Sequence, residues 1–388
     1  MLSTRLGKAS KRAIAVAALA TTLTTIAACG GGSDSASGGA SDGGGKVDED
    51  AAAAASERLE PNLEEISDIG ITTPLTSAPE AGKVAYLIRF NNSTSEPMEQ
   101  PFKDAVGALG WESRVLATDA ADPQGTSNAI KQAVAAGADY ITINSTSVDA
   151  IGPGLDAAKA AGVPIVLNAS VGEVEGEANG IYGNVANVDN IAASGLALMD
   201  WAIADSQGAG SVLFVTYPDI PILAASGAKV EAGFKENCPQ CSLSIFKLST
   251  PQVVNGDMVT GIVSEIRKNP EIKYVTMDIS LAGVGLREAL DAAGLTDVEI
   301  GVGYPTTDQF EGIRDGSYGI GAAYGNDDAV YAAVDQMARL DVGMDAAQDE
   351  HAVRPFQLYT EDNIGADVDY WAGPQGFKEQ YLALWGKD

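Results

Sequence analysis

Between Thr126 and Ser170 the chain repeats one short pattern, and that pattern restricts the fold more than any other stretch. A helix-period segment carrying Ile130, Ala133 and Val134 ends at Gly137 in AVAAGADYITIN, and a second carrying Ile151, Leu155 and Ala158 ends at Gly162 in AAKAAGVPIVLN. Each glycine stands where a helix C-terminus turns left-handed without a Cβ penalty. The runs that follow, 140–144 and 165–168, are nearly all apolar or β-branched, which suits strands of a parallel sheet covered on both faces. Both runs stop on polar tips, Asn144-Ser145-Thr146 and Asn168-Ala169-Ser170. Ligands of open α/β sheets sit at the carboxyl ends of strands. Asn and Ser also make ordinary turns, so a site requires many tips to converge.

The rest of the chain continues the alternation. Strands are expected at 84–90, 113–117 and 181–184 in a first run. A second run places them at 211–217, 242–247, 274–278, 299–303 and 319–323, with helices between, including 98–109, 123–136, 190–205, 223–237, 256–269, 281–293 and 327–340. Repeated βα units wind a parallel sheet with helices on both faces. About three hundred residues follow Lys83, more than one core usually holds, so two Rossmann-like, doubly wound lobes are expected.

The first residues carry Arg5, Lys8, Lys11 and Arg12, then an uncharged apolar run, Ala13–Ala28, too short for a membrane span. The run closes on Ile26-Ala27-Ala28-Cys29-Gly30, which resembles the lipobox of bacterial lipoproteins, with Ile26 where Leu is preferred. Residues 1–28 are therefore expected to be a lipoprotein signal peptide and Cys29 the lipidated residue. Residues 29–82 are expected to form a tether and an extended N-terminal segment, helical over 51–65 apart from Pro61. Of 24 basic residues, removing those four leaves 20 against 53 acidic ones, a mature charge near −33. Phosphate contacts need clustered Lys and Arg, so nucleic acid is excluded as a partner, and a soluble monomer is expected. Cys238-Pro239-Gln240-Cys241 leaves no third thiol and only His351 as a further ligand, too few for zinc. In an exported chain that spacing reads as a structural disulfide.

The order of phrases is similar to that of type 1 periplasmic substrate-binding proteins of ABC transporters, the ribose/sugar branch in particular. NVANVDNIAASGLAL, MDISLAGVGLREALDAAG, IGVGYPTTDQFEGIRDGSYGIGAAYGNDDAVYAAVDQM and RPFQLYTEDNI carry the resemblance from about Gly82 to Thr360. It implies three chain crossings, near 185–187, 323–326 and 349–354. One lobe would comprise 83–186 plus 324–350 and the other 187–323 plus 351–388, with a small molecule held between them. It further implies a permease partner, no cofactor or metal, and a position on the outer face of the cytoplasmic membrane. The strand tips give the expected ligand-binding residues: Phe90, Asn91, Asn92, Ser93, Asp119, Asn144, Ser145 and Asn168 in one lobe, and Tyr217, Asp219, Asp278, Tyr304 and Tyr324 in or beside the other. Asp278 and Asn91 fall where the family has ligand contacts. Asn168-Ala169 and Gly303-Tyr304-Pro305 depart from the family's Asp-Arg and Gly-Phe-Asp, and 217–227 lacks the usual Arg. Without bidentate Arg donors the ligand is expected to be small and neutral or weakly cationic.

Two other classes of function compete with solute delivery. An enzyme is disfavoured because there is no Gly-x-Ser-x-Gly, and GVGLRE and GIGAAYG miss the glycine spacing or the strand–helix context of a dinucleotide fingerprint. A lipid-anchored sensor presenting its ligand to a membrane receptor would have the same lobes, and neighbouring genes would distinguish it.

Overall fold

The computed structural model describes residues 47–92, 95–119, 122, 124–351 and 353–387; the expectations for the signal segment, Cys29 and Ser93 lie outside these. The elements run α1 (Glu49–Leu63), β1 (Val84–Phe90), α2 (Glu99–Ala108), β2 (Glu112–Thr118), α3 (Gly125–Ala135), β3 (Tyr140–Asn144), α4 (Val148–Ala161), β4 (Ile165–Asn168) and β5 (Ile181–Val185). They continue with α5 (Val188–Asp205), β6 (Ser211–Thr216), α6 (Pro221–Asn237), β7 (Ser242–Lys247), α7 (Thr250–Asn255), α8 (Met258–Lys268), β8 (Tyr274–Met277), α9 (Leu286–Ala292) and β9 (Glu299–Gly303). Last come α10 (Thr307–Arg314), β10 (Ile320–Tyr324), α11 (Asn326–Asp341), α12 (Gln348–His351), β11 (Phe356–Tyr359) and α13 (Phe377–Leu384).

Two sheets result. One has the order β2-β1-β3-β4-β5, parallel throughout; the other has the order β11-β10-β9-β8-β6-β7, parallel except for the β10–β11 pair. The period-2 alternation of β1 sends Ala85 and Leu87 to one apolar cluster with Phe102 of α2 and Met337 of α11. Tyr86 and Ile88 go to another with Ile130 of α3 and Leu155 of α4. In β6, Val212 and Phe214 meet Met199 of α5 and Phe234 of α6, while Leu213 and Val215 meet Ile262 of α8 and Leu286 of α9. Covering both faces is what makes these strands predominantly apolar. Helix α11 packs on β4 and β5 although it follows β10, and α5 packs on β8, β9 and β10 although it follows β5. The chain therefore passes from sheet to sheet at residues 186–187, at Gly325 and in the stretch between α11 and β11.

Local chemistry sets the ends. Gly137 and Gly162 adopt φ of 81° and 69°, closing α3 and α4. Asn187 caps α5 by accepting from the N–H groups of Asp189 and Asn190. Three expected helices differ. The segment 256–269 starts too early: Gly256 (φ 75°) ends a separate short helix, α7, whose capping box is Ser249 and Gln252. The segment 281–293 is broken at Gly285 (φ 74°) into a 3-10 turn and α9. Helix α1 continues through Pro61, which sits in its last turn, and Ala55 and Leu59 are buried. Arg58 pairs with Asp200 of α5 at 2.6 Å. Residues 49–63 thus form a helix packed on the second lobe. Cys238 and Cys241 are bonded, with Cα atoms 5.3 Å apart.

Candidate functional site

The carboxyl ends of the parallel strands share a backbone feature. Ser145, Ala169, Ala186 and Tyr304 directly follow β3, β4, β5 and β9, and all have left-handed φ (57°, 46°, 53° and 56°). The N–H of Ser145 still extends the ladder to the Asn168 carbonyl, that of Ala169 to Val185, and that of Tyr304 to Ala322, at 2.9–3.0 Å. The chain then turns sharply off the sheet. For residues with a Cβ this conformation costs on the order of 1–2 kcal/mol, and such strain collects at ligand-binding rims.

In the first sheet Asn91 and Asn92 are exposed beyond the half-buried Phe90. The Asn92 side chain is already engaged: Oδ1 accepts from the Ser95 N–H at 2.8 Å and fixes the turn into α2. Asn144 donates through Nδ2 to Met98 Sδ at 3.2 Å and accepts from Ser145 Oγ at 2.8 Å. Asn168 is buried and Asp119 exposed. Arg89 lies directly before these tips but is turned to protein: it pairs with Glu99, lowering the Glu99 carboxyl pKa, and its Nη1 donates to the Phe90 carbonyl at 2.8 Å.

In the second sheet two groups form. Tyr217, Asp219 and Thr250 make a surface knot, with Tyr217 Oη 2.9 Å and Asp219 Oδ2 2.6 Å from Thr250 Oγ1. Thr250 opens α7. Asp278, Tyr304 and Tyr324 form the second and deeper group. Asp278 Oδ2 accepts from Thr216 Oγ1 at 2.5 Å, whereas its Oδ1 is buried without a partner. Burial pushes the Asp278 carboxyl up to about 7 against the pull of the Thr216 hydroxyl and the Tyr217 N–H. The Tyr304 and Tyr324 rings lie 5.7 Å apart, inclined at 46°. Burial raises both phenols, and Asp278 adds to this at Tyr304. The Tyr324 hydroxyl also lacks a partner. These rings border a cavity of about 50 Å³ shared with Phe310, Asn326, Tyr370 and Trp371. Asp278 and Tyr304 border a second cavity of about 10 Å³ beneath, beside Ser194 and Ser226 of α5 and α6.

The structure therefore gathers Asp278, Tyr304 and Tyr324, while the side chains of Tyr217 and Asp219 turn to Thr250 and only the Tyr217 N–H reaches the Asp278 carboxyl. Thr216, Asn326, Tyr370 and Trp371 were not among the expected residues. Thr216 is the residue before Tyr217, and Tyr370-Trp371 is an adjacent aromatic pair after a polar stretch. The deep group offers one carboxylate oxygen, one phenolic hydroxyl, an amide and aromatic faces, suited to a ligand with hydroxyl or N–H donors and an apolar face. Among the described residues no group of His, Cys, Asp and Glu could hold a metal ion.

Residues 84–343 match the model of the periplasmic binding protein domain. No curated protein matches the sequence. Among solved structures the chain is similar to an ABC sugar transporter subunit from Rhodobacter sphaeroides, with 19% identity, TM-score 0.62, 73% of this chain and 99% of that one covered. It is similar to an ABC transporter solute-binding protein from Mycobacterium smegmatis with bound glycerol, with 19% identity, TM-score 0.62, 76% and 99% covered. It is also similar to one from Agrobacterium vitis with bound allitol, with 17% identity, TM-score 0.62, 73% and 97% covered.

Proposed function

The chain belongs to the periplasmic binding protein family, and on that premise we propose that it is an extracytoplasmic solute-binding lipoprotein. It takes up a small sugar-like or other neutral molecule between its lobes and delivers it to an ABC importer. The observation that carries this reading is the pair of buried polar atoms without partners, Asp278 Oδ1 and the Tyr324 hydroxyl, in one aromatic group at the strand ends. Buried polar atoms cost free energy unless they are hydrogen-bonded, so these two favour a ligand that bonds them. The linings of both cavities carry no Arg or Lys, and Arg89 is held by Glu99, which favours a neutral ligand over an anion. Related folds solved with glycerol and allitol bind polyols, and the same chemistry is proposed for this site. The chain is proposed to act as a monomer, held to the membrane through a lipidated Cys29, with no catalytic role.

Isothermal titration with glycerol, allitol, ribose, glucose and a set of neutral amides tests the ligand class. Binding of a polyol or amide that Tyr324→Phe and Asp278→Ala each weaken at least tenfold supports it. An organic anion that binds more tightly than every neutral compound overturns it. Intact-mass analysis of the mature protein tests the anchor, and an unmodified Cys29 or a retained 1–28 segment refutes it.

A further inference from the structure

Residues on either side of the matched domain 84–343 lie across the junction of the two lobes. The N-terminal segment begins on the second sheet's side. There the Ile66 N–H donates to Gln357 Oε1 of β11 at 3.1 Å, and Gln357 Nε2 returns a bond to the Asn62 carbonyl at 2.7 Å. At the junction the Ile69 carbonyl accepts from Arg354 Nη1 at 2.9 Å, and Ile69 and Ile71 are buried. The segment then holds the first lobe. The Thr73 carbonyl accepts from Arg339 of α11 at 2.6 Å, and the Glu80 N–H donates to Asp341 at 2.7 Å. Trp111 Nε1 donates to the Glu80 carbonyl at 2.8 Å.

The C-terminal segment makes the same passage in the other direction. After β11 of the second sheet, α13 packs on α11 of the first lobe, with Trp385 stacked on Tyr331 at 6.0 Å and 4° and its Nε1 donating to Asp335 Oδ1 at 2.7 Å. The two segments also meet each other: the Leu75 N–H donates to the Leu384 carbonyl and the Gln375 N–H to the Ile66 carbonyl, both at 2.9 Å. Beneath them lie two buried charge groups, Asp328–Arg354–Tyr381 and Asp335–Arg339–His351. Each joins α11 to the stretch beyond it.

We propose that residues 64–82 and α13 together form a hinge brace, a fourth connection between the lobes with a docked helix as the fifth, which holds the lobe angle nearly fixed in the ligand-free protein. A three-crossing hinge absorbs rotation in a few backbone angles. Here a large rotation also pulls Ile69, Ile71 or Trp385 out of apolar contact or separates the buried Arg354–Asp328 pair, each unfavourable. The lobe angle then changes little when ligand arrives, so little binding free energy is spent on closure. The inference rests on the packing of the two lobes and not on which ligand is bound.

Hydrogen exchange with mass spectrometry, together with small-angle scattering of the ligand-free full chain, tests this. The comparison is between the wild type, a six-residue Gly-Ser insertion after the exposed Gly70, and Trp385→Ala. The insertion removes no side chain, so it decides alone if Trp385→Ala does not fold. The brace predicts that the insertion makes peptides covering 184–190 and 322–328 exchange about tenfold faster and shifts the radius of gyration above that expected from the added residues. Folded variants whose crossing peptides and scattering match the wild type overturn it. So does a wild type whose crossing peptides exchange as fast as exposed loops.

Discussion

Asp278→Asn gives the sharpest test of the deep site. The folded carboxyl titrates near 7, against an ordinary 3.8, because burial disfavours its charge. Between those two values the folded chain holds a proton that the unfolded chain releases. The advantage is therefore complete at low pH and is lost as pH rises from about 4 to about 7. Three pH units at 1.36 kcal/mol each give a ceiling of about 4 kcal/mol, and local relaxation brings the expected figure to about 2–3 kcal/mol. The asparagine keeps the shape and can still accept from Thr216 Oγ1, but it has no charge to desolvate. Subtracting wild-type from variant stability cancels the contributions of the many other carboxylates. Urea unfolding at half-unit intervals from pH 3.5 to 8.5, followed by tryptophan fluorescence, should give a difference that is flat below pH 4, climbs in the variant's favour to pH 7, and is flat again above. A constant offset from the altered amide leaves that slope untouched. A difference independent of pH, or a slope of the opposite sign, refutes the claim that the carboxyl is desolvated.

Three further outcomes follow from the same structure. Arg354→Met leaves Asp328 and the Ile69 carbonyl without their buried donor and should cost about 3–5 kcal/mol in urea unfolding. Gly325→Ala places a Cβ 2.7 Å from Gly373 Cα and 2.8 Å from the Ala372 carbonyl oxygen, both backbone atoms, and should lower the melting temperature with a loss of about 1–3 kcal/mol. Replacing Cys238 and Cys241 with Ser opens a very short loop and should cost about 2 kcal/mol or less, with thiol labelling of the wild type appearing only after reductant.

Much of the architecture was legible because the apolar runs are short, uninterrupted and punctuated by glycine. The runs 140–144 and 165–168 became β3 and β4 with the expected bounds, and the paired lobes follow from the repeated unit. Boundaries failed where two breakers competed. Gly256 and Gly285 sit inside helix-period stretches, and period alone does not tell an interruption from a start. The site was legible as a set of tips but not as a grouping. Nothing in the sequence says that the Asp219 carboxylate is held by Thr250 or that Asn92 is committed to a turn. The left-handed Ser145, Ala169, Ala186 and Tyr304 could not be anticipated either, since none is a residue type that favours that conformation. The terminal segments carry no period strong enough to show where they dock. Several partners of the N-terminal segment are 285 to 313 residues away in the chain, and single side chains such as Arg354 and Gln357 decide its path.

Helix α1 begins where Asp48 donates its N–H to the Gln207 carbonyl at 2.9 Å, between α5 and the start of β6. That point lies at the amino ends of the second sheet's parallel strands, whereas Asp278, Tyr304 and Tyr324 lie at their carboxyl ends. Whatever is joined ahead of Asp48 therefore attaches at the far pole of this lobe from the aromatic group. A label, surface linker or fusion partner placed there should leave access to the pocket unobstructed, which makes this end the natural handle for immobilising the protein.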